Sequence, residues 1–471
     1  MATLKKPENF IPLVLPPRKA QMAAHTDVIV VGGGPAGIGA AMGAAKAGSE
    51  VILAERYGFL GGNATAALVM PMMSYHTQKS PVNYQENHDV FLPADHGPGD
   101  PVIAGALLEF IERLIKAGGV IAPSFKTGYV VPFDPEIFKI IAVEMLDDNN
   151  VTMLFHSFAS GIFNENNVRG VVLESKSGPL VITADVIVDC TGDGDIAAAA
   201  GAEFSIGREH DGLVQPMSLL FRMSGFKRKD FLEYIKKHPD QWRGVYGLWD
   251  LIKMAAEAGE LNLPREDILF FDTLHDDEVS VNSTRIIKVL GTDVWDLSFA
   301  ETAGRRQVKQ IAAFLKKYVP GFGDSYVIQT GTTVGVRETR RITGDYILTA
   351  EDIGMARKFD DAIAMSTYPV DIHNPEGKGT ILKKLPWGES YDIPLRCLLP
   401  KNVEDILVAG RCISGDHIAH SSYRVMPTSM ATGQAAGVSA ALASKNRIRP
   451  RYLDIKDVQK ELIRQGAYLH K

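Results

Sequence analysis

The chain has 471 residues, of which 45% are hydrophobic and 23% are charged, a composition typical of a globular protein. Its net charge of −6 argues against nucleic acid or an anionic membrane surface as the main partner. The chain has no signal-peptide pattern in residues 1–24, no apolar run of about 18 residues and no CxxC or metal-type spacing among its three cysteines, so we expect a cytoplasmic protein without a metal site.

Residues 27–62 have the pattern of a β-α-β unit. The apolar, β-branched residues 27–31 predict a buried parallel strand. Small residues at helical spacing then continue to Ala47, and Gly48 ends the predicted helix. Residues 50–54 predict a second strand, which completes the unit.

The turn after the first strand has the glycine spacing of a dinucleotide site. Gly32 permits a tight turn, Gly34 permits close approach of a pyrophosphate, and Gly37 permits close packing of helix and strand. Pro35 and Ala36 open the helix, whose free N–H groups and dipole favour an anion. The sequence therefore predicts a bound dinucleotide.

An acidic residue ends the second strand. Glu55 lies 18 residues after Gly37, where a carboxylate can accept the hydroxyls of an adenosine ribose. A carboxylate at this position disfavours a 2′-phosphate, so we do not expect NADP.

The loop that follows distinguishes between dinucleotides. Residues 56–65, RYGFLGGNAT, resemble the post-ribose loop of FAD enzymes in the glutathione-reductase-like superfamily, where a glycine pair passes under the flavin side of the cofactor. The resemblance implies that the cofactor is FAD and that this loop contacts it through Arg56, Gly61, Gly62, Asn63 and Ala64.

The next region alternates helical and strand patterns. Apolar spacing predicts amphipathic helices at 105–117 and 135–148. An antiparallel meander with turns at 164–167 and 175–178 is predicted from four short strand patterns, residues 152–156, 161–163, 168–174 and 180–183.

A buried strand pattern at 186–190 ends in the sequence DCTGDGD. This passage resembles the second FAD contact of the same superfamily and implies roles for Thr191, Gly192 and Asp193. It contains no second GxGxxG, so we do not expect a tightly held NAD(P)H.

The pattern predicts an α/β fold, a Rossmann-like FAD-binding domain with a β-meander and an inserted α+β cap or substrate lobe. The predicted parts are an N-terminal extension, the first part of the FAD-binding domain, the inserted lobe and a return to the FAD-binding domain, at residues 1–24, 25–202, 203–326 and 327–471. Within the lobe, helices are predicted at 231–237, 248–258 and 299–318.

The C-terminal part contains a strand at 406–412 and an Ala- and Gly-rich helix at 429–442. In the superfamily such a helix directs its N-terminus at the flavin, where its dipole stabilises negative charge. The resemblance implies contacts from Gly410, Arg411, Thr428, Ser429 and Met430.

Together these motifs make the chain similar to the FAD-dependent oxidoreductases related to fumarate reductase and succinate dehydrogenase flavoproteins. Those enzymes place arginines and a histidine around a dicarboxylate, and Arg424 and His373 lie at comparable places. Their HGxNRxGGN pattern reads HSSYRVMPT here, so dicarboxylate specificity is not carried over.

The predicted catalytic group is centred on the loop before the last helix. We expect Arg424 to bind a substrate anion and His417, His420, His373 or Tyr391 to act as acid or base. Arg340, in GVRETRR, is a second candidate for the anion. The alternative is that this arginine-rich segment is a structural ion-pair cluster.

The function expected from these residues is hydride transfer between FAD N5 and a small polar or anionic organic substrate. The alternatives are an FAD monooxygenase with an external reductant and a non-catalytic electron-transfer flavoprotein. An external electron donor or acceptor is an expected partner, and a homo-oligomer is left open. Two less favoured ideas are a covalent bond between His76 and the flavin and a redox role for Cys412.

Overall fold

The structure is a computed structural model that describes residues 13, 14, 16–78, 90–93, 97, 99–165, 168–377 and 379–469. The predicted turn at 164–167 and the predicted N-terminal extension lie partly outside these residues.

The strands of the described residues, in chain order, are β1 (Gln21–Val31), β2 (Val51–Ala54), β3 (Thr152–Leu154), β4 (Phe158–Glu165), β5 (Val168–Ser175), β6 (Gly178–Asp189), β7 (Phe204–Ile206), β8 (Phe221–Ser224), β9 (Trp242–Arg243), β10 (Tyr246–Gly247), β11 (Ile268–Asp272), β12 (Glu278–Val281), β13 (Tyr326–Thr330), β14 (Arg340–Ile342), β15 (Ala362–Ser366), β16 (Val370–His373), β17 (Thr380–Lys383), β18 (Tyr391–Pro394) and β19 (Ile406–Val408). The helices are α1 (Pro35–Lys46), α2 (Ala106–Lys116), α3 (Pro135–Asp147), α4 (Asp195–Ala199), α5 (Arg228–Lys237), α6 (Trp249–Glu257), α7 (Val294–Tyr318), α8 (Ala350–Gly354), α9 (His417–Tyr423), α10 (Met426–Asn446) and α11 (Ile455–Arg464).

Within the described residues, a seven-stranded sheet has the order β3-β2-β1-β6-β5-β4, with β19 also paired to β6. The pairs β3-β2, β2-β1, β1-β6 and β6-β19 are parallel, whereas β4, β5 and the first half of β6 form the predicted antiparallel meander. Val28 to Val31 are at most 2% exposed. Their continuous apolar run is typical of a parallel strand covered on both faces.

Strand β6 belongs to both parts of this sheet. It is one strand of 12 residues, so the prediction of separate strands at 180–183 and 186–190 was wrong. No glycine or proline interrupts residues 180–189, and the backbone therefore continues through the meander into the parallel sheet. Asp189 pairs with Val31 of β1 and with Val408 of β19, which brings the loops after these three strands to one edge.

Helices α1 and α10 cross at a glycine-lined contact. A Cβ atom on Gly433 would overlap the carbonyl oxygen of Ala36, and one on Gly39 would overlap that of Met430. Gly437 meets Ala40 O in the same way. The two backbones touch because these residues lack side chains.

A second sheet has its own core. Its order in the described residues is β13-β8-β12-β11-β10-β9, all antiparallel, and helices α5, α6 and α7 contribute side chains to its core. Phe91 lies at the centre of that core, edge-on to Phe231 and Phe270 at 5.4 Å between ring centroids. Because β13 pairs with β8, this sheet extends past residue 326, the predicted end of the inserted lobe. The domain borders predicted from the sequence stay predictions.

Other element ends differ from the prediction for local reasons. Helix α7 begins at Val294 rather than at residue 299, because the Asp293 side chain accepts hydrogen bonds from Trp295 N and Asp296 N. Helix α10 begins at Met426, with Pro427 in its first turn. Within the described residues, no helix combines the length and apolar character needed to span a bilayer.

We expect Gly433→Ala to destabilise the protein by about 1–3 kcal/mol, because its methyl group would enter the Ala36 carbonyl. Urea unfolding of the FAD-loaded protein measures this change. Gly323→Ala is the matched control, since a Cβ at Gly323 meets no atom within 4 Å, and it should stay within about 0.5 kcal/mol of the parent. Equal stability of the two variants would contradict the proposed contact.

Candidate functional site

The first cleft lies where β1, β6 and β19 end. Gly32 has φ +99°, and a Cβ atom there would lie 2.5 Å from Cys190 O. A Cβ on Gly37 would overlap Gly32 O. Only glycine at both positions lets helix α1 begin directly against the strand ends.

The N-terminus of α1 opens into this cleft. Gly34 precedes the helix without a side-chain cap, and Pro35 occupies its first turn. The nearest atom to a Cβ on Gly34 is Gly62 Cα at 3.7 Å, so the approach to the helix N-terminus is lined by backbone. This cradle fits a pyrophosphate, whose charge the free N–H groups and the helix dipole stabilise.

The Glu55 carboxylate lines the same cleft and is 5% exposed. Its Oε2 accepts a hydrogen bond from Gly33 N at 2.6 Å, and its Oε1 accepts one from Tyr57 N at 2.8 Å. Burial raises the pKa of Glu55, whereas these N–H groups oppose the shift. Each carboxylate oxygen keeps acceptor capacity for a ribose hydroxyl.

Most residues predicted to bind the cofactor line this cleft: Gly32, Gly34, Pro35, Ala36, Glu55, Arg56, Gly62, Asn63, Thr191, Gly192, Asp193, Gly410, Arg411 and Ser429. The others lie behind its wall. Gly61 N donates to Gly33 O, Thr428 contacts Ser366 Oγ at 2.9 Å, and Gly37, Ala64 and Met430 are buried in the packing.

Asp193 joins three segments at the cleft. Its Oδ1 accepts from Arg411 Nη2 at 2.9 Å and from Thr339 Oγ1 at 2.7 Å. The loop after β6 is therefore tied to the loop after β19 and to the GVRETRR segment.

A second cleft adjoins the first and lies between the second sheet and the α9–α10 junction. Five residues line both clefts: Asn63, Val336, Arg411, Arg424 and Met426. The second cleft also has an apolar wall that includes Met70, Met73, Leu220 and Phe271. A ligand in the second cleft would therefore meet a cofactor in the first at Arg424 and Arg411.

Asp371 is the centre of a polar network in the second cleft. Its Oδ2 accepts from Tyr368 Oη at 3.0 Å and lies 3.4 Å from Arg424 Nη2 and 3.5 Å from His373 Nε2. Burial raises the pKa of Asp371, but these partners outweigh burial and hold the pKa well below its usual value. Asp371 is therefore ionised and fixes the guanidinium of Arg424.

His373 is held as a neutral ring. Burial lowers its pKa to about 4, against the opposing effect of Asp371. Arg285 Nη2 lies 3.3 Å from Nδ1, and an arginine can only donate, so Nδ1 accepts and the proton lies on Nε2, towards Asp371. Both ring nitrogens are therefore engaged at pH 7.

Four of the six predicted catalytic residues do not line the second cleft. His417 Nδ1 is 2.8 Å from Glu338 Oε1 at a separate cavity, and His420 is fully buried with neither ring nitrogen bonded. The Tyr391 hydroxyl is 2.7 Å from Ser422 Oγ in the core, and Arg340 pairs with Asp195. Their catalytic roles gain no support from these positions.

Arg424 and His373 do line the second cleft. The carboxylate beside Arg424 is Asp371. Burial lowers the pKa of His76 to about 4, and its ring stacks on Tyr129 away from both clefts. Cys412 is fully buried, and burial raises the pKa of its thiol, which suits packing rather than redox chemistry.

Sequence reasoning missed Arg285, Arg337, Tyr368 and Asp371, all of which line the second cleft. Arg337 was visible within GVRETRR, and Tyr368 and Asp371 lie in the YPVDIHNP segment with His373. Arg285 had no local signal, because it follows β12 in the second sheet and reaches the cleft only through folding.

A model of the family described as FAD dependent oxidoreductase matches residues 27–462. Over 156 residues, the chain is 28% identical to a soluble pyridine nucleotide transhydrogenase of Pseudomonas putida, a match that covers 32% of this chain and 31% of that relative. The chain thus spans about a third of the length of this relative.

Two solved structures are similar over most of the chain. A geranylgeranyl bacteriochlorophyll reductase-like protein of Thermoplasma acidophilum shares 14% identity, with a TM-score of 0.43, 94% of this chain and 85% of that one covered. The p-nitrophenol 4-monooxygenase PnpA of Pseudomonas putida shares 12% identity, with a TM-score of 0.44 and coverages of 94% and 84%. Likenesses at these scores do not bear on reaction or substrate.

We expect Glu55→Ala to weaken FAD binding by about 1–3 kcal/mol, because Gly33 N and the ribose hydroxyls would lose a charged acceptor. Calorimetric titration of FAD into the apoprotein measures the loss. Glu50→Ala, which removes an exposed carboxylate four residues before the end of β2, is the control and should bind FAD like the parent. Unchanged affinity in Glu55→Ala would place the ribose elsewhere.

Proposed function

The chain belongs to the FAD-dependent oxidoreductase family, and we propose that it oxidises or reduces a small polar or anionic organic molecule bound in the second cleft. The observation that supports this proposal is the shared wall at Arg424 and Arg411. A substrate there would lie against the cofactor cleft on a surface rich in arginine.

The residues of the first cleft fit FAD. The N-terminus of α1 would hold the pyrophosphate, Glu55 the ribose and the loop at Gly62 and Asn63 the flavin side. FAD supplies the electron exchange when it is bound. The protein's own part is to bind, orient and shield the substrate beside it.

Arg424 is the proposed orienting residue. Its Nη2 contacts Asp371, whereas its buried Nε has no hydrogen-bond partner in the described ranges of the chain. A substrate oxygen at the junction of the clefts would satisfy that Nε, while Asp371 keeps the guanidinium in place. His373 helps to hold Asp371 and Arg285 rather than serving as a titrating base.

Two reactions are compatible with this arrangement. The main proposal is hydride transfer between the substrate and the flavin, as in a dehydrogenase or reductase. The second candidate is a monooxygenase with an external reductant, because the apolar wall of Met70, Met73 and Phe271 would exclude water as such chemistry requires. Several similar solved structures are named as monooxygenases or hydroxylases, although their TM-scores of 0.42–0.44 do not decide between the two.

We propose a relation to fumarate reductase for Arg424 and His373 only. These two residues lie at comparable places in the sequence, and both line the second cleft. A non-catalytic electron-transfer flavoprotein is less favoured. Such a protein has no need for the buried, cationic cleft, since burying charge without a partner opposes folding.

Anaerobic spectroscopy and a separate incubation under ¹⁸O₂ with a reductant distinguish the two reactions. The FAD-loaded protein is mixed without oxygen with a panel of small organic acids and alcohols, and dithionite-reduced protein with unsaturated and carbonyl analogues. Bleaching or reoxidation of the flavin would identify a dehydrogenase or reductase. Label from ¹⁸O₂ in the product would identify a monooxygenase. A protein that retains no flavin, or shows neither behaviour with any compound, would contradict the proposal.

We expect Arg424→Lys to lower turnover by about 10- to 100-fold while leaving bound FAD at the parent level. Lysine keeps the charge but cannot contact Asp371 and present a second donor at the junction. Steady-state kinetics and the flavin-to-protein absorbance ratio measure the two quantities. Arg449→Lys changes a half-exposed arginine outside both clefts and serves as the control. Full turnover in Arg424→Lys would remove Arg424 from the site.

A further inference from the structure

The arginines of the second cleft fall into two groups. Three of them form an ion pair with a carboxylate: Arg265 lies 2.5 Å from Asp267, Arg411 lies 2.9 Å from Asp193, and Arg424 lies 3.4 Å from Asp371. Arg285 and Arg337 have none among the described residues. Within the described residues, the cleft therefore contains two cations without an ion-pair partner.

Arg337 is held by neutral acceptors only. Its Nη1 donates to Pro216 O at 2.7 Å and to Ser218 Oγ at 2.8 Å, and no other hydrogen bond of its side chain is found in the described part of the chain. Burial, Arg424 and Arg285 lower its pKa to about 9, so it remains charged at pH 7. Its Nη2 and Nε are left for a ligand.

Arg285 is 4% exposed and is also held without a carboxylate. Its Nη1 donates to Gly377 O at 2.6 Å and to Gly379 O at 3.3 Å, and its Nη2 faces His373 Nδ1 and Thr380 Oγ1 at 3.3 and 3.5 Å, which leaves Nε as the donor for a ligand. Burial and the nearby Arg265 lower its pKa, against the opposing effect of Asp267, Glu266 and Asp371. The guanidinium is thus fixed in orientation by neutral acceptors, without a direct ion pair among the described residues.

In the part of the chain that the structure describes, one carboxylate of the cleft wall has no ion pair. Glu266 lines the cleft, and its buried Oε2 has no hydrogen-bond partner among the described residues. With Glu266 ionised, the two free arginines leave the described cleft with one uncompensated positive charge. A ligand with a single negative charge would balance it.

We propose that Arg285 and Arg337 form the subsite for the one carboxylate of a monoanionic substrate whose remaining body is apolar. This inference rests on the proposed function, in that it names the class of molecule bound beside FAD. Two guanidinium groups can bind both oxygens of a carboxylate, and buried charge-assisted hydrogen bonds are stronger than neutral ones.

The rest of the cleft suits the apolar body. Besides polar residues such as Ser218, Tyr246 and Asn282, its wall contains apolar side chains from the loop after β2, the second sheet and the start of α10: Val69, Met70, Pro71, Met73, Leu220, Val245, Leu269, Phe271, Val425 and Pro427. Methionine side chains adapt to different shapes and contact aromatic rings favourably. A second carboxylate would meet this wall or lie beside Asp371, whose negative charge at Arg424 leaves Nε suited to a neutral substrate oxygen, so a dicarboxylate is not expected.

The test uses the FAD-loaded protein and needs no turnover. Hexanoate, benzoate and phenylacetate are titrated, each beside its neutral amide, with succinate and phenyl phosphate as dianionic probes. Apparent affinities come from the shift in unfolding temperature with ligand concentration. We expect at least one monocarboxylate to stabilise the protein, and its amide and both dianions to bind about tenfold or more weakly.

Two variants locate the subsite. Arg337→Met and Arg285→Met should each weaken binding of the best monocarboxylate by about 10- to 100-fold. The flavin content should stay at the parent level. Arg449→Met, outside both clefts, is the matched control and should bind the acid like the parent.

The ligand-free stability of the Arg337 variant separates ligand binding from a structural role. If Arg337 had a structural role, its removal would destabilise the protein and the unfolding temperature would fall. A half-buried arginine without a carboxylate opposes folding, so Arg337→Met should unfold at the same or a higher temperature than the parent.

Several outcomes would overturn the subsite. They are equal binding of acid and amide across the series, tighter binding of succinate or phenyl phosphate, or unchanged affinity in both arginine variants. Each of these leaves the redox proposal intact, since a flavin that exchanges electrons with a neutral compound would still support it. If the acid still bound but the flavin exchanged electrons with no compound, the redox proposal would be contradicted and the subsite would stand.

Discussion

The direct backbone contact between α1 and α10 is the constraint on which both clefts depend. Glycines at the crossing remove the side chains that would hold the helices apart, as at Gly433 against Ala36 O. The N-terminus of α1 lies at the end of the first cleft that we propose for the pyrophosphate, and α10 begins where the two clefts meet. A small separation of these helices would move the two ends of the cofactor site apart, because dense packing transmits shifts.

The second cleft depends on how charge is distributed over distant segments. Asp371 and Asp193 each hold one arginine, while Arg285 and Arg337 are positioned by carbonyl and hydroxyl oxygens instead. Neutral acceptors fix the direction of a guanidinium without cancelling its charge. The protein therefore keeps positive potential at a defined place, at some expense of stability, as functional sites often do.

The segment GVRETRR shows how one run of sequence serves three purposes. Arg341 pairs with Glu338 in the core at 2.5 Å, Arg340 pairs with Asp195 at 2.8 Å, and Arg337 lines the second cleft. The expectation of a structural ion-pair cluster thus describes Arg341, and Arg340, expected to bind substrate, holds the loop after β6. Arg340 and Arg341 are neighbours in β14, where successive side chains point to opposite faces, whereas Arg337 lies in the loop before this strand.

The sequence alone determined the β-α-β unit, the meander and FAD, because strand and helix periods, glycine turns and the acid at Glu55 are all local patterns. Of its six candidate catalytic residues, Arg424 and His373 line the second cleft. Only the tertiary structure decided which arginines of the second cleft are paired. Asp267 is two residues from Arg265, but Asp371 is 53 residues from Arg424 and Asp193 is 218 residues from Arg411. Ion pairing is set by distances of a few ångströms between such segments, and no local pattern encodes those distances.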